Sequence, residues 1–243
     1  MAIEIIKAGN YDQMSRRAAD VIASCIEADA ACTLGLATGS TPIGLYKELV
    51  KDYEAGKISF SELTTFNLDE YRGLDGAHPQ SYRYFMNDNL FDHVDVRREC
   101  TFVPDGSNPD SGKACADYEA MIEEAGGVDI QLLGIGHNGH IGFNEPADTF
   151  PVETHLVALT DSTIQANSRL FESIDEVPRE AYTMGIGTIM KARMILLVAN
   201  GKGKAEIIRD AMLGPVTPRV PASVLQLHPN VVVIVDDEAG ALC

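Results

Sequence analysis

The sequence predicts an α/β fold, a single-domain, doubly wound, mostly parallel sheet flanked by helices (Rossmann-like). Three observations predict it. Short apolar runs alternate with amphipathic helical stretches along the whole chain. The runs are apolar on both faces, as buried parallel strands are. Several of them open directly into polar, glycine-rich loops, the arrangement found at the carboxyl edge of an open α/β sheet, where ligands bind. A chain of 243 residues fits one domain of this class.

Ile3–Ile6 reads as a short strand. Tyr11–Ala28 reads as a helix with Met14, Ala18, Val21, Ile22 and Cys25 on one face. Ala31–Ala37 is β-prone and ends in Thr38, Gly39, Ser40, Thr41 and Pro42. Helical spacing resumes from Ile43 to Tyr53. Pro42 suits the first helical position and Ser40 or Thr41 the cap. Such a helix start also suits an anion, because free N–H groups and the helix dipole both point at it. The turn therefore reads as cap, as phosphate cradle or as both, and the Walker spacing is absent.

Leu63–Leu68 is the next strand, with Asp69 and Glu70 where it meets its loop. Helix Ser81–Phe91, a short strand Thr101–Val103 and helix Ser111–Ala125 follow. Then comes strand Val128–Leu133 and the loop Leu133–Pro146, LGIGHNGHIGFNEP. His155–Leu159 is a weak strand, Asp161–Phe171 a short polar helix and Arg193–Ala199 a strong strand. Asn200–Lys204 turns into helix Ala205–Met212, and Val231–Val235 closes the sheet.

His140 and Glu145 are the chemical groups of the central loop. A histidine near neutrality with a carboxylate to orient it can shuttle a proton. The bland alternative is a turn-rich connection with surface histidines. A zinc site at His137 and His140 lacks the third and fourth ligands it needs, so no metal is expected. Asp69 reads as the base, and the alternative makes Asp69 a helix cap and Glu70 the base. Arg169 and Lys204 are candidate anion ligands or solvated surface charges.

The formal charge of −17 disfavours nucleic acid and anionic membranes as partners. No apolar run is long enough for a bilayer span, and MAIEIIKAGN lacks the pattern of a signal peptide. The five cysteines are scattered without a CxxC pair, which suggests reduced thiols and a cytoplasmic location. Cys25 and Cys32 read as core residues.

Four stretches together resemble the glucosamine-6-phosphate deaminase (isomerase) family. They are Leu36–Pro42 (LATGSTP), Phe66–Tyr71 (FNLDEY), Gly134–Pro146 (GIGHNGHIGFNEP) and Ala166–Arg169 (ANSR). Ser223–His228 (SVLQLH) looks like the family's closing segment. The order matches over nearly the whole chain, and FNEP points to the deaminases within a superfamily that also holds phosphogluconolactonases and sugar-phosphate sensor domains. The resemblance implies conversion of D-glucosamine 6-phosphate and water to D-fructose 6-phosphate and ammonia, in amino-sugar breakdown, without cofactor. It implies Asp69 as the C2 base and His140 as the ring opener, supported by Glu145 and Asn138. It implies Thr38, Gly39, Ser40, Thr41, Arg169 and Lys204 around the phosphate, and a mobile lid over about 159–179.

Two departures stand out. Many members carry aspartate where this chain has Asn138, so Asn138 is expected to orient His140 or substrate by hydrogen bonding while Glu145 supplies the nearby charge. Larger members carry basic residues after FNEP and a C-terminal extension, which form an allosteric pocket for N-acetylglucosamine 6-phosphate. Here Ala147–His155 is acidic and the chain stops at Cys243, so no such activation is expected, and the oligomeric state stays open. A lactonase of the same fold is the first alternative, and a non-catalytic sensor domain the second.

Overall fold

The computed structural model describes residues 2–160, 163–165, 168, 171 and 173–243. Asn10 caps the first helix by accepting from Gln13 N (2.9 Å), and Met14, Ala18, Ile22 and Ile26 bury one face of it. This helix, α1 (Tyr11–Ala28), follows β1 (Ala2–Ala8) and precedes β2 (Thr33–Leu36) and α2 (Ile43–Glu54). Arg16 of α1 binds both Glu48 and Asp52 of α2. Burial raises the Asp52 pKa, but hydrogen bonds from Lys57 and Arg16 outweigh it and hold the carboxyl below its ordinary range.

The chain continues through β3 (Thr64–Asn67), β4 (Asp69–Tyr71), α3 (Tyr82–Asn89), β5 (Thr101–Phe102), α4 (Ser111–Glu124) and β6 (Ile130–Leu133). It ends with β7 (His155–Ala158), β8 (Glu180–Thr183), α5 (Ile186–Met190), β9 (Met194–Ala199), α6 (Ala205–Leu213) and β10 (Asn230–Asp236). Among the described residues, seven strands form one sheet in the order β1-β10-β9-β6-β2-β3-β5. Every pairing in it is parallel. The α/β expectation therefore holds. From β2 the chain moves outward to β3 and β5, whereas from β6 it moves the other way to β9 and β10. The neighbours β2 and β6 thus form a topological switch point, and a crevice opens at their carboxyl ends.

A second sheet was not anticipated. Strands β4, β8 and β7 pair antiparallel in the order β4-β8-β7. Asp69 thus lies in a strand, not at a strand–loop junction. Tyr71, Tyr82, Phe143 and Phe171 pack around this sheet. They supply the apolar cover that a three-residue strand with two carboxylates lacks in itself.

Two further expectations need correction. The cap position of α2 is Pro42, with no side-chain cap bond. The Thr41 hydroxyl donates to Asn200 instead (2.9 Å), and the hydroxyl of Tyr11 accepts from Gly44 N (2.8 Å). Helix α3 is shorter than Ser81–Phe91, because Ser81 is its cap, accepting from Tyr84 N, and a 3-10 turn takes over at Phe91–His93. Of the polar helix expected at Asp161–Phe171, Thr163–Gln165 are helical; Asn167 and Arg169 lie outside the described residues.

Gly185 caps α5 where residues 152 and 153 cross it. A Cβ there would sit 2.4 Å from Glu153 O and 2.5 Å from Val152 O. Both are backbone atoms, so the crossing must shift to admit a methyl group. Gly185→Ala is expected to cost about 1–3 kcal/mol, read as a lower urea midpoint with an unchanged m-value.

Candidate active site

The crevice at the switch point is a cleft of about 440 Å³. Its walls are the loop after β2, the loop after β6, Asp69, Tyr82, Thr163 and Lys204. Thr38, Gly39, Ser40, Thr41, Asn138 and His140 all line it. A space of this size suits a small metabolite.

The loop after β6 closes on itself, with Gly136 N donating to His140 O (2.8 Å) and Gly139 N to Gly136 O (3.1 Å). The His140 ring then lies against the Gly136 backbone. A Cβ on Gly136 would fall 2.3 to 2.4 Å from three ring atoms, so only glycine leaves room for the imidazole. His140 Nδ1 is 3.3 Å from Glu145 Oε1, close but not aligned for a hydrogen bond. Asn138 Nδ2 donates to Glu145 Oε2, and its Oδ1 accepts from His140 N (3.2 Å). Asn138 therefore reaches His140 through its backbone and through Glu145, not through the ring. Thr163 Oγ1 also donates to Glu145 Oε1 (3.1 Å). Burial raises the Glu145 pKa, but its contacts with His140, Asn138 and Thr163 outweigh that and keep the carboxyl below its usual range. Asn144 fixes the far end of the loop by donating to Ile141 O (2.9 Å) and Met184 O (2.8 Å).

The two carboxylates that chemistry left open have different surroundings. Glu70 accepts from the backbone N–H groups of Tyr71, Tyr82 and Arg83 at 2.8–2.9 Å, so both its oxygens are engaged. Asp69 is 6% exposed and forms part of the cleft wall. A Cβ on Gly142, in the facing loop, would lie 3.7 Å from an Asp69 carboxylate oxygen. Burial, and then the charge of Glu70, push the Asp69 carboxyl up to about 8.

On the opposite side, Gly39 takes φ 97°, a conformation that suits glycine, and lets the loop after β2 turn along the cleft. Lys204 ends the 3-10 turn Lys202–Lys204 and donates to Ile135 O (2.7 Å). Burial lowers its pKa. His137 lies against Gly203 and His140 against Gly136, so the two histidines occupy different parts of the loop. Thr163, Tyr82, Phe143 and Asn200 were not singled out from the sequence. Nothing local marks Thr163 or Asn200; Phe143 has a signal as the first residue of FNEP, and Tyr82 as the first residue after the Ser81 cap.

Residues 7–234 match the family model described as glucosamine-6-phosphate isomerases/6-phosphogluconolactonase. The chain belongs to that family. Within it, the chain is 51% identical over 240 residues to a glucosamine-6-phosphate deaminase of Clostridium perfringens, covering 99% of each protein. It is 54% identical over 232 residues to one of Lachnoclostridium phytofermentans, covering 96% of this chain and 98% of that one. A solved structure of a monomeric glucosamine-6-phosphate deaminase superposes with a TM-score of 0.96 at 44% identity, over 99% of this chain and 100% of the other. The family assignment made from the four motifs holds.

Asp69 also carries a stability prediction. Its folded pKa of about 8 lies above the unfolded value near 3.9, so the folded state holds its proton more tightly. Stability is then highest below about pH 4 with respect to this group and falls as pH rises through about 8. Asp69→Asn removes the buried charge. Thermal melts should show the variant gaining on wild type as pH rises from 5 to 9; a constant difference across that range would contradict the assignment.

Proposed function

We propose that this chain is a glucosamine-6-phosphate deaminase that turns D-glucosamine 6-phosphate and water into D-fructose 6-phosphate and ammonia. The observation that carries the reading is the pairing, across one cleft, of a buried carboxylate with raised proton affinity and a histidine backed by an ionised glutamate. An aldose-to-ketose shift needs both. The pyranose must first open, which moves a proton from O1 to the ring oxygen, and His140 with Glu145 is placed to carry it. A base must then take the proton from C2, and Asp69 lies on the facing wall. Reprotonation at C1 gives a 2-imine, and its hydrolysis releases ammonia and leaves the 2-ketose.

Substrate anchoring is the second part. The turn Thr38–Thr41, Lys204 and Arg169 hold the phosphate in this reading, the lysine as a point charge and the arginine as a fork. Arg169 enters from its motif alone, since it lies outside the described residues. Binding energy from the phosphate can then go into positioning C1 and C2. Residues 159–179 act as a lid, a role supported by Thr163, which lines the cleft and donates to Glu145. The acidic segment Ala147–His155 supports activity without an allosteric amino-sugar phosphate. No helix among the described residues is long and apolar enough to cross a membrane, and the free cysteines fit the cytoplasm.

Wild type should release ammonia and fructose 6-phosphate in equal amounts from glucosamine 6-phosphate, and Asp69→Asn should lose several powers of ten in rate. Full activity in the variant would move the base elsewhere. Turnover of 6-phosphogluconolactone with no ammonia from the amino sugar would replace the reading with the lactonase.

Asn138→Asp would add a second carboxylate beside Glu145. Two like charges at hydrogen-bond distance must share a proton, and the pair would then hold His140 differently. The pH–rate profile of the variant should therefore move or gain an ionisation. A profile superimposable on wild type would show that Asn138 acts without electrostatic consequence.

A further inference from the structure

Glu70 is the group the proposed mechanism does not use, and its surroundings are unusually specific. It is 3% exposed, and its two oxygens accept three backbone N–H bonds. Burial pushes the Glu70 pKa up, against the pull of its three backbone donors and of the Arg83 charge. All three donors point at its two oxygens, the arrangement a carboxylate accepts, whereas a protonated carboxyl would turn a donor toward them. Two of the donors, Tyr82 and Arg83, are the first two residues of α3, and they lie 12 and 13 positions away in sequence. Ser81 already serves Tyr84 N as the ordinary cap (3.0 Å). The remaining N–H groups of the helix start are thus closed by a side chain from another element, and the helix dipole favours its charge.

This clamp fixes two walls of the cleft to each other. β4 carries Asp69, and α3 carries Tyr82, and both line the cleft. Successive strand residues point to opposite faces, so Glu70 grips α3 while Asp69 looks into the cleft. We propose that Glu70 is a positioning residue for Asp69, holding β4 and α3 in register and placing a fixed negative charge beside the base. The proposal rests on Asp69 being the C2 base.

The neighbouring charges fit this role. From β4, Tyr71 stands beside the pair; from α3 come Tyr82 and Arg83; from α4, Tyr118. The Arg83 guanidinium feels the Glu70 charge but makes its hydrogen bonds to Thr101 Oγ1 (2.7 Å) and Thr101 O (2.6 Å). Across the cleft stand His140, which faces Glu145, and Lys204, which is bonded to Ile135 O. Among the described residues no ion pair involves Asp69, so the charge of Glu70 acts on it without a paired cation. A base that removes a proton from carbon gains from proton affinity near the working pH.

The test uses two variants and the acid limb of kcat/KM against pH. Ionisation of the substrate amine contributes equally to every variant and cancels in the comparison. Glu70→Gln removes the charge, and its limb should move to lower pH by about one unit or more, with kcat down about tenfold or more. Glu70→Asp keeps the charge but is too short to span the three donors; its limb should stay at the wild-type position while kcat falls. A Gln variant whose limb coincides with wild type, or an Asp variant whose limb moves as far as that of the Gln variant, overturns the proposal. Should the Gln variant not fold, carboxyl carbon NMR of wild type and Glu70→Asp, with Asp69 assigned by its loss in Asp69→Asn, carries the test. Midpoints that coincide in the two proteins support the proposal, and a midpoint displaced by about a unit or more in Glu70→Asp, or one near 4 in wild type, overturns it. That titration needs no turnover, so its outcome is independent of the Asp69→Asn activity assay that tests the reaction.

Discussion

One residue ties the architecture to the chemistry. Leu68 N donates to Leu36 O at the end of β2, and Leu68 O accepts from Met184 N just past β8. A single buried residue therefore belongs to the hydrogen-bonding of the parallel sheet on one side and of the antiparallel sheet on the other. The next residue is Asp69. Its position follows from two independent sheets, and neither can slide without breaking a backbone bond in the interior, where an unpaired group is costly. The same logic holds opposite, where Asn144 bonds Met184 O and Phe143 N bonds Thr183 Oγ1. Both walls of the cleft are thus referred to the end of β8.

The cleft also divides the charges of a strongly acidic protein. The formal charge is −17, yet the side of the cleft formed by the loop after β2 and by Lys204 has backbone N–H groups and an ammonium group, with no carboxylate among the lining residues there. The acidic groups are collected on the other side, where Glu70 is consumed by a helix start and Glu145 by its neighbours. Separation within one cleft, over distances where low dielectric makes charge effective, matters more here than net charge.

Much of this was legible in the sequence. The parallel strands announce themselves as doubly apolar runs, and LGIGHNGHIGFNEP announces a functional loop because its glycines and ionisable groups serve no core. The second sheet was illegible for a physical reason. Asp69–Tyr71 is three residues long, has no apolar alternation, and gains its burial from aromatic residues at positions 82, 143 and 171. Without that strand, the opposite orientation of Asp69 and Glu70 cannot be deduced, which is why Glu70 stood as an alternative to Asp69 in the sequence. The cap of α2 misled in a related way: Thr41 has the right chemistry for a cap, but its hydroxyl is claimed by Asn200, 159 positions away. Long-range partners decide such choices, and composition does not reveal them.

The burial of Asp69 has a consequence for the proton inventory of the protein. The formal charge counts this residue as an anion, but burial and the Glu70 charge push its carboxyl up to about 8, so the folded protein keeps that proton to higher pH than an exposed aspartate does. The resting protein is therefore less negative than its composition states. A ligand that brings a cationic group to that wall draws the proton off into solvent. Binding and protonation are then one equilibrium, and the heat of binding will depend on the ionisation enthalpy of the buffer that receives the proton.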